Sequence, residues 1–450
     1  MTVKAADKKA LGLWMATALV VGNMIGSGVF LLPASLAPYG GISLFGWLFT
    51  AAGAILLALV FARLSRMVPN AGGPYAYTRA GFGDFAGFLI AWGYWIAIWV
   101  GNASIATAFV GYLGVFWPPL ATQPVLSIAA ALIAVWFLTW VNALGVRNAG
   151  VLQLVTTLLK LIPLVAIAAV GLQYLNLAAF TPFNATLASA NPQSNFAAIT
   201  AVATLTLWSF IGLESATVPA GDVQNPERII PWSTVLGTLV TALVYILSTT
   251  AVMGLIPAAA LVKSTAPFAD AARAVWGDWA GYAVAVGAAV SCFGALNGWI
   301  LLQGQVPLAA ARDKLFPQRF ATVSADGTPV FGLVLSSVLI TALMAMNYTK
   351  GLVEIFNFTI LLATLTTLVP YLFSAMAELL VFISERERFH GKRFVGSTLI
   401  AALAFLYALW AIAGSGRDTV YWGFILLMAG IPVYVWLKWS DGKARPAVAH

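Results

Sequence analysis

Three polar features stand inside long apolar stretches of this sequence, and each has chemistry to offer there. The first is "VVGNMIGSGVFLLP", Val20 to Pro33, which sets Gly22, Gly26 and Gly28 around Asn23 and Ser27. Glycine costs a helix interior about 1 kcal/mol relative to alanine, so this stretch is a poor rigid helix. In lipid, freed N–H and C=O groups cannot turn to water, and irregular backbone survives only where protein or a cavity satisfies it. An unwound segment at Gly26-Ser27-Gly28 offers N–H donors to a carboxylate, helped by the positive end of the half-helix that follows. Plain helix packing through Gly22-x-x-x-Gly26 competes with that reading. A dinucleotide loop does not, because no strand precedes it.

The second feature is Glu214, in "LWSFIGLESATVPAG". A lone carboxylate at mid-depth is costly and usually faces a cavity or a partner, which suits proton exchange or a gate. A structural hydrogen bond to a neighbouring helix is the alternative. The third is Lys160, in "TTLLKLIPLV", the basic residue deepest in a span. It suits proton exchange, or holding unwound carbonyls in place as a bound cation would. Otherwise it snorkels to an interface. Aromatic residues accompany these groups. Trp208 and Trp299 (in "GALNGWILLQGQ") sit beside polar or glycine residues, where they can stack on a cationic or apolar substrate or simply pack. Tyr94, Trp95, Trp99 and Asn102 cluster in the same way. No metal-ligand cluster, nucleophile elbow or phosphate loop is present, and no cofactor is expected. The two histidines, His390 and His450, lie at polar ends.

The elements that must position these groups are membrane spans. Of 450 residues, 61% are hydrophobic and 8% charged, whereas a soluble domain carries about 25% charged residues. Long apolar runs, not ten-residue alternations, exclude an outer-membrane barrel. The fold class is all-α and polytopic. A single cysteine, Cys292, rules out an intrachain disulfide. About twelve segments have spanning length, near 11–36, 42–65, 82–113, 125–144, 150–173, 196–219, 231–256, 279–307, 330–348, 352–382, 396–415 and 419–438. Of the 23 lysines and arginines, 18 fall on the side of the two termini and 4 on the other, with Lys160 inside a span. That bias puts both termini in the cytoplasm. It also explains the net charge of +8 without nucleic acid.

A weak internal echo links "GNMIGSGVF" in span 1 with "SFIGLESAT" in span 6. Each places an Ile-Gly step beside a small or polar residue in mid-span. Interrupted spans at matching positions of two halves point to a transporter binding site, although a chain with 40 glycines produces some matches by chance.

Taken together, "GNMIGSGVFLLPASLA", "GGPYAYTRAGFG", "WGYWIAIWVGN", "TLWSFIGLESATVPAGDVQNPERIIP", "STAPFADAARAVWGD", "NGWILLQGQ", "DKLFPQRFA" and "LVPYL" resemble the amino acid–polyamine–organocation transporters. Within them the likeness is greatest to the bacterial basic amino acid/polyamine antiporters, the arginine/agmatine exchangers among them. It runs from span 1 to span 10. The resemblance implies a five-plus-five inverted repeat of the LeuT type (11–173 and 196–382), two further helices (396–438), and breaks in helices 1 and 6 around the substrate. It implies that Met24, Ser27 and Gly28, with Asn23 and Gly26 beside them, line the site for the substrate's α-carboxylate and α-amine. Trp208 and Ile211 look like helix 6 contacts, Trp299 like an aromatic stacking on a guanidinium, and Ala97, Asn102 and Ile105 like helix 3 contacts. Tyr94 and Glu214 look like gate residues. Three positions depart from the arginine/agmatine pattern. Ile98 replaces a cysteine and Ala363 a serine, making the distal pocket more apolar. Lys160 replaces an apolar residue and resembles instead the helix 5 lysine of neutral amino acid members.

The expectation is a secondary active transporter in the inner membrane and not an enzyme, moving a basic amino acid against its decarboxylated amine. Transport of neutral amino acids is the alternative, and a non-transporting sensor a remote one. The partners expected are the small-molecule substrate and the bilayer, without nucleic acid, and the resemblance suggests a homodimer.

Overall fold

A computed structural model describes residues 12–68, 72–144, 146–217, 223–325, 327–347, 349–384 and 392–444. Lys4, Lys8, Lys9, Arg386, Arg388, His390, Arg445 and His450 lie outside the described residues. Within them, ten helices are long and apolar enough to cross a membrane, Val330–Met346 is a shorter apolar helix, and Leu159–Tyr174 is the later part of a helix that begins at Val146. In chain order these twelve are spans 1 to 12: Ala16–Tyr39, Ile42–Met67, Asp84–Leu113, Pro124–Ala143, Leu159–Tyr174, Asn195–Thr217, Pro226–Leu255, Asp278–Arg312, Val330–Met346, Leu352–Ser384, Val395–Gly414 and Arg417–Ser440. Span 7 begins five residues before the expected 231. Pro231 lies inside it and lacks the N–H that would bond the Glu227 carbonyl, and Arg66 Nε donates to that carbonyl instead at 3.0 Å.

The central spans are buried and the late ones face outward. Span 3 packs against both span 8 and span 10, and span 7 packs against span 2 and the first half of span 1. Large apolar side chains left exposed, such as Trp117, Trp279, Trp436 and Trp439, suit a lipid or interfacial surface.

Spans 1 and 6 are interrupted at mid-length, and span 12 at a single residue, Ala429, between Arg417–Met428 and Gly430–Ala444. Span 1 consists of Leu13–Met24 and Ser27–Leu36. Span 6 runs as an α-helix over Asn195–Leu207, tightens to 3-10 geometry over Trp208–Phe210, and turns before a last 3-10 stretch at Ser215–Thr217.

Two short helices lie between spans, Pro74–Phe82 before span 3 and Pro267–Trp276 before span 8. Each opens on proline and closes on a glycine, Gly83 at φ +84° and Gly277 at φ +85°. Both carry Arg-Ala-x-aromatic-Gly-Asp, from Arg79 to Asp84 and from Arg273 to Asp278. In both the arginine Nε meets the aspartate, at 2.9 Å and 3.1 Å. Arg79 also reaches Asp313 at the end of span 8 (2.8 Å), to which the Tyr75 hydroxyl donates (2.6 Å). Burial, and then the bond to Asp313, raise the Tyr75 phenol above its ordinary pKa, so it remains a donor at neutral pH.

Candidate functional site

The break in span 1 leaves helix-terminal carbonyls without intrahelical partners. Two side chains from other spans satisfy them. Lys160 Nζ donates to the carbonyls of Gly22 and Ile25, the latter at 2.9 Å. The Tyr245 hydroxyl donates to the Met24 carbonyl at 2.6 Å. Lys160 is fully buried and does not snorkel. It stands where a cation would, against the carbonyl end of the first half-helix. Past the break, Ser27–Leu36 begins with no side-chain cap, so its first N–H groups are free to meet a ligand.

The break in span 6 lies against the break in span 1. Gly212 adopts φ +109°, and a Cβ there would come within 3.1 Å of the Asn23 carbonyl carbon. Both the backbone conformation and the contact therefore require glycine. Gly28 is equally constrained, since a Cβ would lie 2.5 Å from Ser209 Oγ. Trp208 Nε1 donates to Ser27 Oγ at 3.3 Å, joining the two breaks through side chains.

Glu214 ties three spans together. Its Oε1 accepts from the Tyr94 hydroxyl of span 3 (2.6 Å). Its Oε2 accepts from the Tyr371 hydroxyl of span 10 (2.6 Å) and from the Gly212 N–H (3.2 Å). All three side chains are buried. This is a closed latch across the terminus-bearing side of the breaks.

Above the latch lie two cavities of about 250 and 230 Å³. Asn23, Met24, Gly26, Ser27, Gly28 and Ala295 line the first. Tyr94, Ala97, Ile98, Gly101 and Thr367 line the second. Ile105, Trp208, Ile211 and Trp299 border both, so the two are lobes of one space. Trp208 and Trp299 are 9% and 7% exposed, so both rings are buried where they border the space.

Most of the residues singled out in the sequence meet in these lobes, with Lys160 and Glu214 bracing their walls. Asn102 and Ala363 lie outside both. Asn102 Nδ2 donates to Gln303 Oε1 at 2.7 Å, and Gln303 Nε2 reaches Ser337 Oγ at 3.0 Å. That chain links spans 3, 8 and 9. Ala363 backs onto Gly101, and its carbonyl accepts from Thr367 Oγ1 at 2.9 Å. Thr367, Gly101, Ala295, Tyr371 and Tyr245 are additions that the sequence alone does not single out. Thr367 and Tyr371 are four apart on one helix face, and that spacing of polar groups within an apolar run is the available signal. Among the described residues, no group of three His, Cys, Asp or Glu side chains is placed to hold a metal.

Comparison with known proteins covers nearly the whole chain. Residues 11–436 match the family described as amino acid permease. A cadaverine/lysine antiporter of Escherichia coli K12 is 36% identical over 440 residues, 95% of each chain. A putative arginine/ornithine antiporter of Bacillus subtilis is 35% identical, covering 98% of this chain and 99% of its own. A putrescine transporter of Escherichia coli K12 is 31% identical over 95% of this chain and 96% of its own.

Proposed function

The chain belongs to the amino acid permease family, among the amino acid–polyamine–organocation transporters, and on that premise we propose that it exchanges a basic amino acid for its decarboxylated amine by alternating access. It is a multi-pass transporter and not an enzyme. The observation that carries the proposal is the two-lobed space between the paired breaks and the two tryptophans.

The first lobe suits the part shared by all α-amino acids. The free N–H groups that start Ser27–Leu36 receive the carboxylate, and the carbonyl end of Leu13–Met24 faces the ammonium. A decarboxylated amine gives up the first contact and keeps the second, so both partners of an exchange use one site. The second lobe takes the side chain. Trp208 and Trp299 at its border offer aromatic faces to a terminal cation, and Glu214 lies just beneath Tyr94. The substrates in the relatives' names, lysine with cadaverine and arginine with ornithine, belong to this chemical class. The exact pair, arginine with agmatine or lysine with cadaverine, is set in the second lobe.

A neutral amino acid is the second reading, favoured by Ala97, Ile98 and Gly101 in that lobe and by the presence of Lys160 behind the first. Counterflow into proteoliposomes separates the two. Vesicles loaded with lysine, arginine, ornithine, cadaverine, agmatine, putrescine, alanine or leucine are offered labelled substrate at two pH values. Uptake driven by internal amines supports the basic exchange. Uptake driven by alanine or leucine alone overturns it. The basic-residue bias further supports an inner-membrane protein with both termini cytoplasmic, and the two breaks support repeats over 11–173 and 196–382.

A further inference from the structure

Span 10 carries a polar stripe that the binding site does not use up. Thr364, Thr367, Tyr371, Ser374 and Glu378 follow one another at spacings of three and four residues, so they share one face of the helix. The stripe is about 21 Å long at 1.5 Å per residue. It starts at the second lobe, which Thr367 lines, and passes the latch, where Tyr371 holds Glu214. From there it continues toward the terminus-bearing end of the span.

All five residues are buried, and three have a polar atom without a partner: Thr364 Oγ1, Ser374 Oγ and Glu378 Oε2. Glu378 is the most telling. Its Oε1 accepts from Arg63 Nη1 at 3.0 Å and from Ser397 Oγ at 2.5 Å, while Oε2 is buried with no donor among the described residues. Back along the stripe, Tyr371 meets Phe61 edge-on, and Phe61 in turn meets Tyr77, all three rings being buried. A buried carboxylate oxygen without a donor is costly in any single state. A face bearing several unpaired polar atoms along one line has the character of a passage closed in this state and wet in another.

We propose that this face of span 10 lines the cytoplasmic leg of the transport route, and that Glu378 is an ammonium-binding subsite there, entered when the Tyr94–Glu214–Tyr371 latch opens. The ligand class is the cationic end of a basic amino acid or of its amine. Arg63 is the movable partner: its side chain is 23% exposed against none for Glu378, so it can swing toward water as the substrate's cation takes its place. The subsite rests on the basic-exchange reading above; the route does not.

Two measurements on the full-length protein test the two parts separately. In the first, Ser374→Cys is probed with an impermeant thiol reagent in right-side-out and inside-out membrane vesicles. The parent protein, whose Cys292 is buried in span 8, is the background. Labelling from the cytoplasmic side alone, altered severalfold by saturating substrate, is expected. No labelling from either side in a transport-active variant, or labelling from the opposite side, overturns the route. In the second, Glu378→Gln is assayed for lysine and arginine exchange from each side. The KM on the cytoplasmic side rises at least fivefold, that on the other side stays within twofold, and Glu378→Asp recovers much of the loss. Equal changes on both sides, or none, overturn the subsite. If only neutral amino acids are exchanged, the basic reading fails, and the labelling result still decides the route.

Discussion

The second lobe has few polar atoms, and its selectivity turns on them. Tyr94 spends its hydroxyl on Glu214, which leaves Thr367 Oγ1, with lone pairs free beyond its bond to Ala363, to accept from a substrate cation. A hydrogen bond to a charged group is worth about 1.5–3 kcal/mol. Thr367→Val should therefore raise the KM for lysine or arginine at least tenfold in counterflow while leaving any apolar substrate nearly unaffected. Equal losses for both classes would show that the threonine only packs. Lys160 acts on backbone instead. Lys160→Met keeps the volume but strips the donor from the Gly22 and Ile25 carbonyls, and each buried acceptor left unsatisfied costs about 1–3 kcal/mol. Transport should fall at least tenfold, and the apparent melting temperature in detergent should drop with it. A variant with parental transport and stability would falsify the role given to Lys160.

At the scale of elements, the twin helices Pro74–Phe82 and Pro267–Trp276 make a paired prediction. Gly83 and Gly277 combine φ near +85° with ψ close to 180°, a region essentially closed to other residues. At neither does any atom lie within 4 Å of the place a Cβ would occupy, so strain is the whole effect of adding a methyl. Gly83→Ala and Gly277→Ala should each destabilise the protein by about 1–3 kcal/mol, read as lowered thermal stability. Asp278→Asn should change little, because Asp278 is 80% exposed and a solvated ion pair contributes at most about 1 kcal/mol. The two helices also show where sequence reading runs out. The twelve spans are legible because apolar length alone demands them, and the break in span 1 because three glycines interrupt such a run. The twin helices are too short and polar for that signal, although their Pro openings and Gly closures are ordinary helix punctuation. Resemblance makes Asn102 a substrate contact, but its bond to Gln303 depends on how spans 3 and 8 are packed, which no local pattern encodes. Thr367 escapes notice for the opposite reason. Threonines are frequent along span 10, and only the position of Trp208 and Trp299 across the lobe distinguishes this one.

The molecule as a whole has a direction, and its route has meaning only once that direction is fixed. Even-numbered spans end on the side of the N-terminus, so the ends of spans 2, 8 and 10, with Arg63, Asp313 and Glu378, share one face. By the sequence count, 18 of the 23 basic residues fall on that side, which is the ground for the proposed cytoplasmic orientation. The latch at Glu214 lies between the lobes and this face, so the state described here is closed toward it. Lys263, between spans 7 and 8, and Arg319, between spans 8 and 9, are both exposed and lie on opposite faces by this count. Lys263→Cys should react with an impermeant thiol reagent added to intact cells. Arg319→Cys should react only in inside-out vesicles, and a fluorescent protein fused to the C-terminus should fold and emit. The opposite pattern would invert the whole assignment. Glu214 and Glu378 would then guard the outer mouth.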